Sequence, residues 1–492
     1  MMELSISDRD FFRLVAVWPS TRKILVEHRN GALRLPQISV LCRARVAEQI
    51  RAAIEARWRI TTVVIDILAD RPGYGRIAIV EVREKTKGAV AVLDSALNDV
   101  DDDECSSDER FLIERLLTEG SIGRGPFSQM GWIEEALDWV ASEISIERST
   151  IASDIHQFNA SGSFALVRFG GRGCSAHWLK AVGEPNLQEF SITLTLAKLF
   201  PDFLPAVLAS RTDWHAWLMK DAGHPLDEVC TVPMMEQVTT RLATLQQASI
   251  PHIGSLLSCG CWDQKTTSLA LSIPAVTDYL EEAIKKQTSL KAPPLGTARL
   301  REIAKELEEA CFTLDALGIP TTLLHNDISS RNILVGDDKP VFSDWAEACV
   351  GNPFLTFEQL RVQVAKDGSI NAWVPQLIKA YSNSWQSVLS DDQVDQALEL
   401  AQLVAPFSYL YGRGDWLSSP RRYDPQFEAY ARSVARHMDR AALAIEQKKG
   451  TSHCAGPVPK PVVRGDAALD DCSSGVTIAA PPTGGFHDVP LA

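Results

Sequence analysis

The stretch from Thr322 to Leu360, TLLHNDISSRNILVGDDKPVFSDWAEACVGNPFLTFEQL, constrains the fold more than any other part of the chain. The apolar pair Leu323-Leu324 delivers His325-Asn326-Asp327 into a polar turn. Asn332-Ile333-Leu334-Val335 then leads to the turn Gly336-Asp337-Asp338, and a second short strand, Pro340 to Phe342, ends at Asp344. Short apolar runs bounded by Gly, Asn and Asp read as strands joined by turns, so an acid, an amide and a second acid gather at strand ends. Any one of these residues alone is an ordinary turn former. The set, with its spacing and the following Asp344-Trp345 pair, asks for a chemical explanation.

The spacing His-x-Asp-x-x-x-x-Asn is that of a kinase catalytic loop, in which the Asp accepts the proton of an acceptor hydroxyl and the Asn holds a metal. Asp327 is then the base, while Asn332 and Asp344 are the metal ligands. Magnesium favours oxygen donors and keeps several waters, so one amide and one carboxylate, completed by phosphates, suffice. On these residues the sequence resembles the aminoglycoside phosphotransferase and choline kinase group of small-molecule kinases, whose loop reads His-Gly-Asp, then Asn five residues on, then Asp-Trp. Asn326 stands where that family has Gly, and Ser343 where it has an aliphatic residue. The resemblance runs from about Ile155 to Gln447. It implies an α+β, protein-kinase-like two-lobed phosphotransferase fold with a small β-rich N-lobe and a helical C-lobe. It also implies ATP and Mg2+ as cofactors and a small-molecule hydroxyl as acceptor. Asp327 and His325 are the catalytic pair, His325 bracing the loop by hydrogen bonding to backbone.

Upstream, Ile155 to Phe158 and Phe164 to Phe169 read as strands around Asn159-Ala160-Ser161-Gly162-Ser163. Ser161 and Gly162 are the phosphate-covering turn, although the G-x-G-x-x-G pattern is missing. Ala176 to Val182 is a third strand whose Lys180 stands where a kinase keeps its α/β-phosphate lysine, and Glu189, on the helix that follows, is its ion-pair partner. Trp214 to Asp221 reads as the strand ending at the inter-lobe hinge, with the backbone of Met219 to Asp221 at the adenine edge. A solvent-facing lysine and glutamate are the plain alternative for Lys180 and Glu189. Order and spacing favour the functional one.

A chain of 492 residues is long for one domain. Residues 1–97 read as a small α/β module: a hairpin about Asn30-Gly31, a helix from Ala44 to Trp58, and β-branched runs from Thr61 to Leu68 and Ile77 to Val82. The module faintly resembles a nudix fold, but Glu48, Arg51 and Glu55 do not reproduce that family's box, so a binding or docking role is expected. Residues 98–108, NDVDDDECSSD, read as an acidic solvated linker and 109–150 as a helical connector packing on the next lobe. The N-lobe spans 151–222 and the helical C-lobe 223–447, with Glu347, Glu358, Trp385, Asp415 and Trp416 as candidate acceptor-lining residues by family resemblance. Residues 448–492, rich in Pro, Gly and Ser without periodicity, read as a disordered tail.

The net charge of -14 speaks against nucleic acid as partner and suits a cationic or neutral acceptor. The first residues lack a basic, apolar leader and no run of about 18 apolar residues occurs, so no membrane association and a cytoplasmic location are expected. The ten cysteines contain no Cys-x-x-Cys pair, consistent with reduced thiols, and Cys259-Gly260-Cys261 reads as loop thiols. The expected function is ATP-dependent transfer of a γ-phosphoryl group to a small-molecule hydroxyl of an aminoglycoside-like antibiotic, sugar or amino alcohol. A catalytically inactive nucleotide-binding regulator with the same fold is the alternative. Retention of Asp327 beside both metal ligands favours the enzyme, because a regulator needs no proton acceptor.

Overall fold

The computed structural model describes residues 9–41, 45–71, 75–85, 93–119, 125–152, 154–160, 164–171, 174–289, 292–336, 339–414, 416–417 and 422–453. The chain divides between Gly223 and His224 into two compact units.

The first unit begins with β1 (Arg9–Val17), β2 (Ile24–Arg29), β3 (Ala32–Arg34), β4 (Gln37–Leu41), α1 (Val46–Trp58), β5 (Ile60–Arg71), β6 (Gly75–Lys85) and β7 (Leu93–Ser95). They form one sheet of order β3-β2-β1-β6-β5, with β4 also on β1 and β7 on β2. The expected hairpin is there: Asn30 and Gly31 both take positive φ, 53° and 81°, which turns β2 into β3 as a primed turn demands. Ala47, Ile50, Ile54 and Trp58 recur at helical spacing and bury one face of α1 on the sheet. The sheet's centre is β1, a strand absent from the expected module, and it pairs in parallel with β6.

Residues 98–108 were expected to be solvated. Val100 and Cys105 instead join the core beneath the sheet, and Glu104 accepts a 2.8 Å bond from Arg34 Nη1. The pairing neutralises one of the charges that made the stretch look like a linker. α2 (Ser107–Glu119) packs on this same core through Ile113 and Leu116. α3 (Trp132–Glu143) and the short α4 (Arg148–Ala152) pack on the next sheet instead. That sheet contains β8 (Asp154–Ala160), β9 (Phe164–Gly171) and β10 (Cys174–Val182), then, after α5 (Gln188–Leu199), β11 (Val207–Arg211) and β12 (Ala216–Lys220). Its order is β11-β12-β10-β9-β8, antiparallel throughout.

The two sheets of this unit are stitched together at β8. The Gln157 amide, 1% exposed, donates to Val64 O and accepts from Val64 N–H, both at 2.8 Å. A side chain thus completes the outer backbone groups of edge strand β5, as a neighbouring strand would. Arg51 of α1 spans the same seam, donating to Thr62 O at 2.7 Å and to Ile155 O at 2.9 Å.

The second unit is mainly helical. Its elements are β13 (His224–Pro225), α6 (Leu226–Val229), α7 (Val232–Ser249), α8 (Ile253–Ser258), β14 (Trp262–Gln264), α9 (Thr266–Lys285), α10 (Thr297–Ala316), β15 (Thr322–His325), β16 (Ile333–Val335), β17 (Pro340–Phe342), β18 (Ala348–Gly351), α11 (Pro353–Lys366), α12 (Val374–Trp385), α13 (Asp391–Arg413) and α14 (Pro425–His453). Two three-stranded sheets lie among the helices, β14-β18-β15 and β13-β16-β17. Asn352 caps α11 by accepting from Phe354 N–H, and Ser390 with Gln393 forms a capping box at the start of α13. The core joins Phe354, Phe357, Tyr381 and Trp385, with Phe357 stacked on Tyr381 at 4.0 Å. The α+β class, a β-rich part followed by a helical one, is as expected. Of the tail, α14 runs to His453, and the remainder lies outside the described residues.

Candidate active site

In the first unit the candidate nucleotide-binding pair, Lys180 and Glu189, is set by β10 and α5. Strand alternation turns Lys180 to the face that α5 covers, and Glu189 sits in the first turn of that helix. Lys180 Nζ lies 2.5 Å from Glu189 Oε1, with the two residues only 6% and 1% exposed. The ammonium also lies 5.5 Å from the ring centre of Phe164 and 5.8 Å from that of Trp217. Burying two charges is costly unless they are paired closely, and here they are. A surface lysine and a solvent-facing glutamate are therefore excluded. Three antiparallel strands, a helix bearing the glutamate and two further strands make the nucleotide-lobe order of the kinase-like phosphotransferase fold.

Met219 lies on β12 opposite Trp178, and its sulfur accepts from Trp217 Nε1 at 3.2 Å. Asp221 follows the strand. Its N–H donates to Ala176 O at 3.2 Å, Oδ2 accepts from Trp178 Nε1 at 3.3 Å and Oδ1 from Gly223 N–H at 2.9 Å. Asp221 is thus engaged by its own strands at all three groups. Ser161 and Gly162 lie outside the described residues.

In the second unit the loop between β15 and β17 gathers His325, Asp327, Asn332 and the segment that ends in Asp344. β15 is fully buried and pairs with β18, His325 opposite Ala348, which fixes where the loop leaves the sheet. His325 Nε2 lies 2.9 Å from Ser343 O, and its ring packs on Trp345 with centres 4.5 Å apart. The imidazole therefore ties the loop to the segment bearing Asp344. Asn332 Nδ2 donates to Asp327 O at 2.9 Å and to Asp327 Oδ2 at 3.0 Å, while Asn332 O accepts from Ser343 N–H at 2.8 Å. One amide thereby holds the loop's backbone and its carboxylate together. Asp344 has φ +64°, a left-handed conformation that a non-glycine residue adopts at a cost and that recurs at functional sites.

The donor set suits a hard divalent cation. Asn332 commits its NH2, not its Oδ1, to Asp327, and Asp344 supplies a carboxylate. One neutral and one anionic oxygen fit magnesium, which takes only one or two protein ligands beside phosphates and water. Among the described residues no group of three or more His, Cys, Asp and Glu side chains could hold a metal on its own.

Several residues near Asp327 carry no spacing signal in the sequence. Burial pushes the Tyr409 hydroxyl well above the usual phenol range, with Tyr430, Glu347 and Asp327 adding to the effect and Arg413 opposing it. Arg413 lies over the ring of Tyr430 at 4.5 Å. Of the candidate lining residues, Glu347 belongs to this group, and Trp416 stacks on Tyr411 at 5.7 Å. Trp385 is core. Glu358 is buried and bonded to Arg361 at 2.6 and 2.7 Å. Asp415 lies outside the described residues. No helix among the described residues is long and apolar enough to cross a membrane.

Comparison with known proteins points to the same class. The model of the phosphotransferase enzyme family matches residues 235–385, the stretch that contains Asp327, Asn332 and Asp344. The resemblance read from the loop is thus matched independently over that part of the chain. Among solved structures, the chain is similar to an ethanolamine kinase of Plasmodium vivax, at 13% identity and a TM-score of 0.45, covering 70% of this chain and 96% of that one. It is also similar to a choline kinase of Cryptosporidium parvum, at 12% identity and a TM-score of 0.46, covering 64% and 97%. A macrolide 2'-phosphotransferase of Brachybacterium faecium matches at 15% identity and a TM-score of 0.40, covering 63% and 96%. No curated protein matches the sequence.

Proposed function

We propose that this protein is an ATP-dependent phosphotransferase that moves a γ-phosphoryl group to the hydroxyl of a small molecule such as an aminoglycoside-like antibiotic, a sugar or an amino alcohol. The observation that carries the reading is the Asn332 amide bonded to both the backbone and the carboxylate of Asp327, with Ser343 and Asp344 next to it. A turn needs no such carboxylate. A base and a metal-ligand pair do.

Asp327 Oδ atoms accept the acceptor's proton as its oxygen attacks the γ-phosphorus, and the bond from that phosphorus to the β,γ-bridging oxygen breaks, releasing ADP. Asn332 Nδ2 keeps the carboxylate turned toward the acceptor. Lys180, aligned by Glu189, donates to the nucleotide's α- and β-phosphates. Asn332 Oδ1 and the Asp344 carboxylate would hold magnesium, which neutralises phosphate charge when bound. His325 keeps the Asp327 and Asp344 segments in register. Such a reaction asks mainly for positioning and charge neutralisation, so no covalent intermediate is needed.

The test is purified protein with magnesium and ATP, offered a panel of aminoglycosides, macrolides, sugars and amino alcohols, with Asp327→Asn as control. A phosphorylated product that falls by at least about 100-fold in the variant, with ATP still bound, is expected from the loss of a general base. Magnesium-dependent ATP binding without product from any acceptor would overturn the assignment as an enzyme.

A further inference from the structure

We propose that Asn326 is a positioning residue for Asp327: it anchors the loop to α11 from inside the protein, and Gly412 of α13 makes the space in which it does so. The inference rests on the reading of Asp327 as the base. Asn326 is the point where the loop departs from the His-Gly-Asp pattern, and it is 2% exposed. Its Oδ1 accepts from Gln359 Nε2 of α11 at 3.1 Å. One helical turn later on the same face of α11, Gln363 Nε2 donates to Ile328 O at 2.5 Å. The residues on either side of Asp327 are therefore both held by one helix, while Asn332 holds Asp327 itself.

The other end of the Asn326 amide explains a glycine. A Cβ on Gly412 would lie 2.6 Å from Asn326 Nδ2 and 2.2 Å from Gln264 Nε2, closer than carbon and nitrogen can approach. Neither nitrogen can yield cheaply, because Gln359 holds Asn326 and Ser408 Oγ holds Gln264 Oε1 at 2.6 Å. Both side chains are buried. Glycine within a helix is less favourable than alanine by about 1 kcal/mol, so its place here follows from the two amides rather than from helix preference. Gly412 does not require a left-handed backbone, which leaves space as its only constraint.

Three variants test this: Asn326→Ala, Gln359→Leu and the double. Two quantities are measured in each, kcat and KM for ATP with the acceptor found above, and amide hydrogen exchange across residues 325–333. Each single variant is expected to lower kcat at least about tenfold with KM for ATP within about twofold, and to speed exchange in the loop by a similar factor. The double variant should be no worse than either single one, since both remove the same bond. Gln359→Glu should restore slow exchange in the loop, because the Asn326 amide can turn over and donate to it. Gly412→Ala should lower kcat as the singles do. Loop exchange equal to wild type in both singles overturns the inference, and so does faster exchange with kcat unchanged, or losses that multiply in the double. A wild type with no transferase activity would sink the proposed function instead, and the exchange data would still decide whether Asn326 anchors the loop.

Discussion

Gln157→Leu is the sharpest test of how the first unit is built. The substitution keeps the side chain's bulk but removes the amide that serves Val64 N–H and Val64 O at 2.8 Å each, in a place that is 1% exposed. Leucine can satisfy neither group, and water has no access to a seam whose neighbours Val64 and Ile155 are buried. A buried backbone donor or acceptor stripped of its partner costs about 1–3 kcal/mol, so the pair costs about 2–6 kcal/mol. For a unit of roughly 200 residues each kcal/mol moves the midpoint by about 2–4 °C, which predicts a fall of about 4–24 °C. Thermal unfolding gives the midpoint and urea unfolding the free energy, with hydrogen exchange at β6 probing the first sheet and at β9 the second. The two probes should lose stability together, because the second core includes Val63 of β5 and the first includes Ala160 of β8. A loss below about 1 kcal/mol, or a transition seen by one probe alone, would refute the view that the side-chain amide acts as the missing strand.

Two further outcomes are expected. Glu189→Ala should weaken ATP binding and cost the first unit about 3 kcal/mol, because it strips a buried ammonium of its carboxylate; calorimetry of nucleotide binding and a denaturation midpoint measure both. Acid should destabilise the second unit through His437. Burial, and after it Arg440, Lys366 and Arg361, holds that imidazole down at about 4, so between pH 6.5 and 4 the unfolded chain binds a proton that the folded chain refuses. The contribution is fully present above pH 6.5 and is lost as pH falls through that window, by about 3 kcal/mol at most, and His437→Gln should flatten the profile.

What could be read from the sequence was local. The Asn30-Gly31 hairpin, the buried face of α3 and the positions of Lys180 and Glu189 all follow from turn chemistry or from periodicity within one element. The central strand β1 escaped because it carries a charge at its middle. Arg13 is buried there because Glu109 meets it at 2.8 Å from 96 residues away and Glu104 O and Gly75 O also accept from it, pairings that no window of sequence contains. The acidic stretch at 98–108 misled for the same reason, since Arg34 that neutralises Glu104 lies 70 residues upstream. Around Asp327, the loop's own residues were legible from their spacing. Tyr409, Tyr430 and Arg413 were not, because α13 and α14 bring them in from distant segments.

One device recurs where the distant contacts matter most. Gln157 joins the two sheets of the first unit, Gln246 bonds both Pro353 O at 3.0 Å and Tyr381 Oη at 2.7 Å, and Gln393 reaches Leu317 O at 2.7 Å. Gln359 and Gln363 hold the loop on either side of Asp327. A glutamine amide offers a donor and an acceptor on a long stem without the desolvation cost of a charge, which for a buried ion is several kcal/mol. Ion pairs doing the same work at α11 would place further charges in the field of Asp327 and Asp344, the carboxylates on which the proposed function rests. Neutral amides position the proposed base without bringing a further charge beside it. On a helix such as α11 they also look, by periodicity alone, like an ordinary solvated face, which is why the side of the helix that grips the loop carried no signal in the sequence.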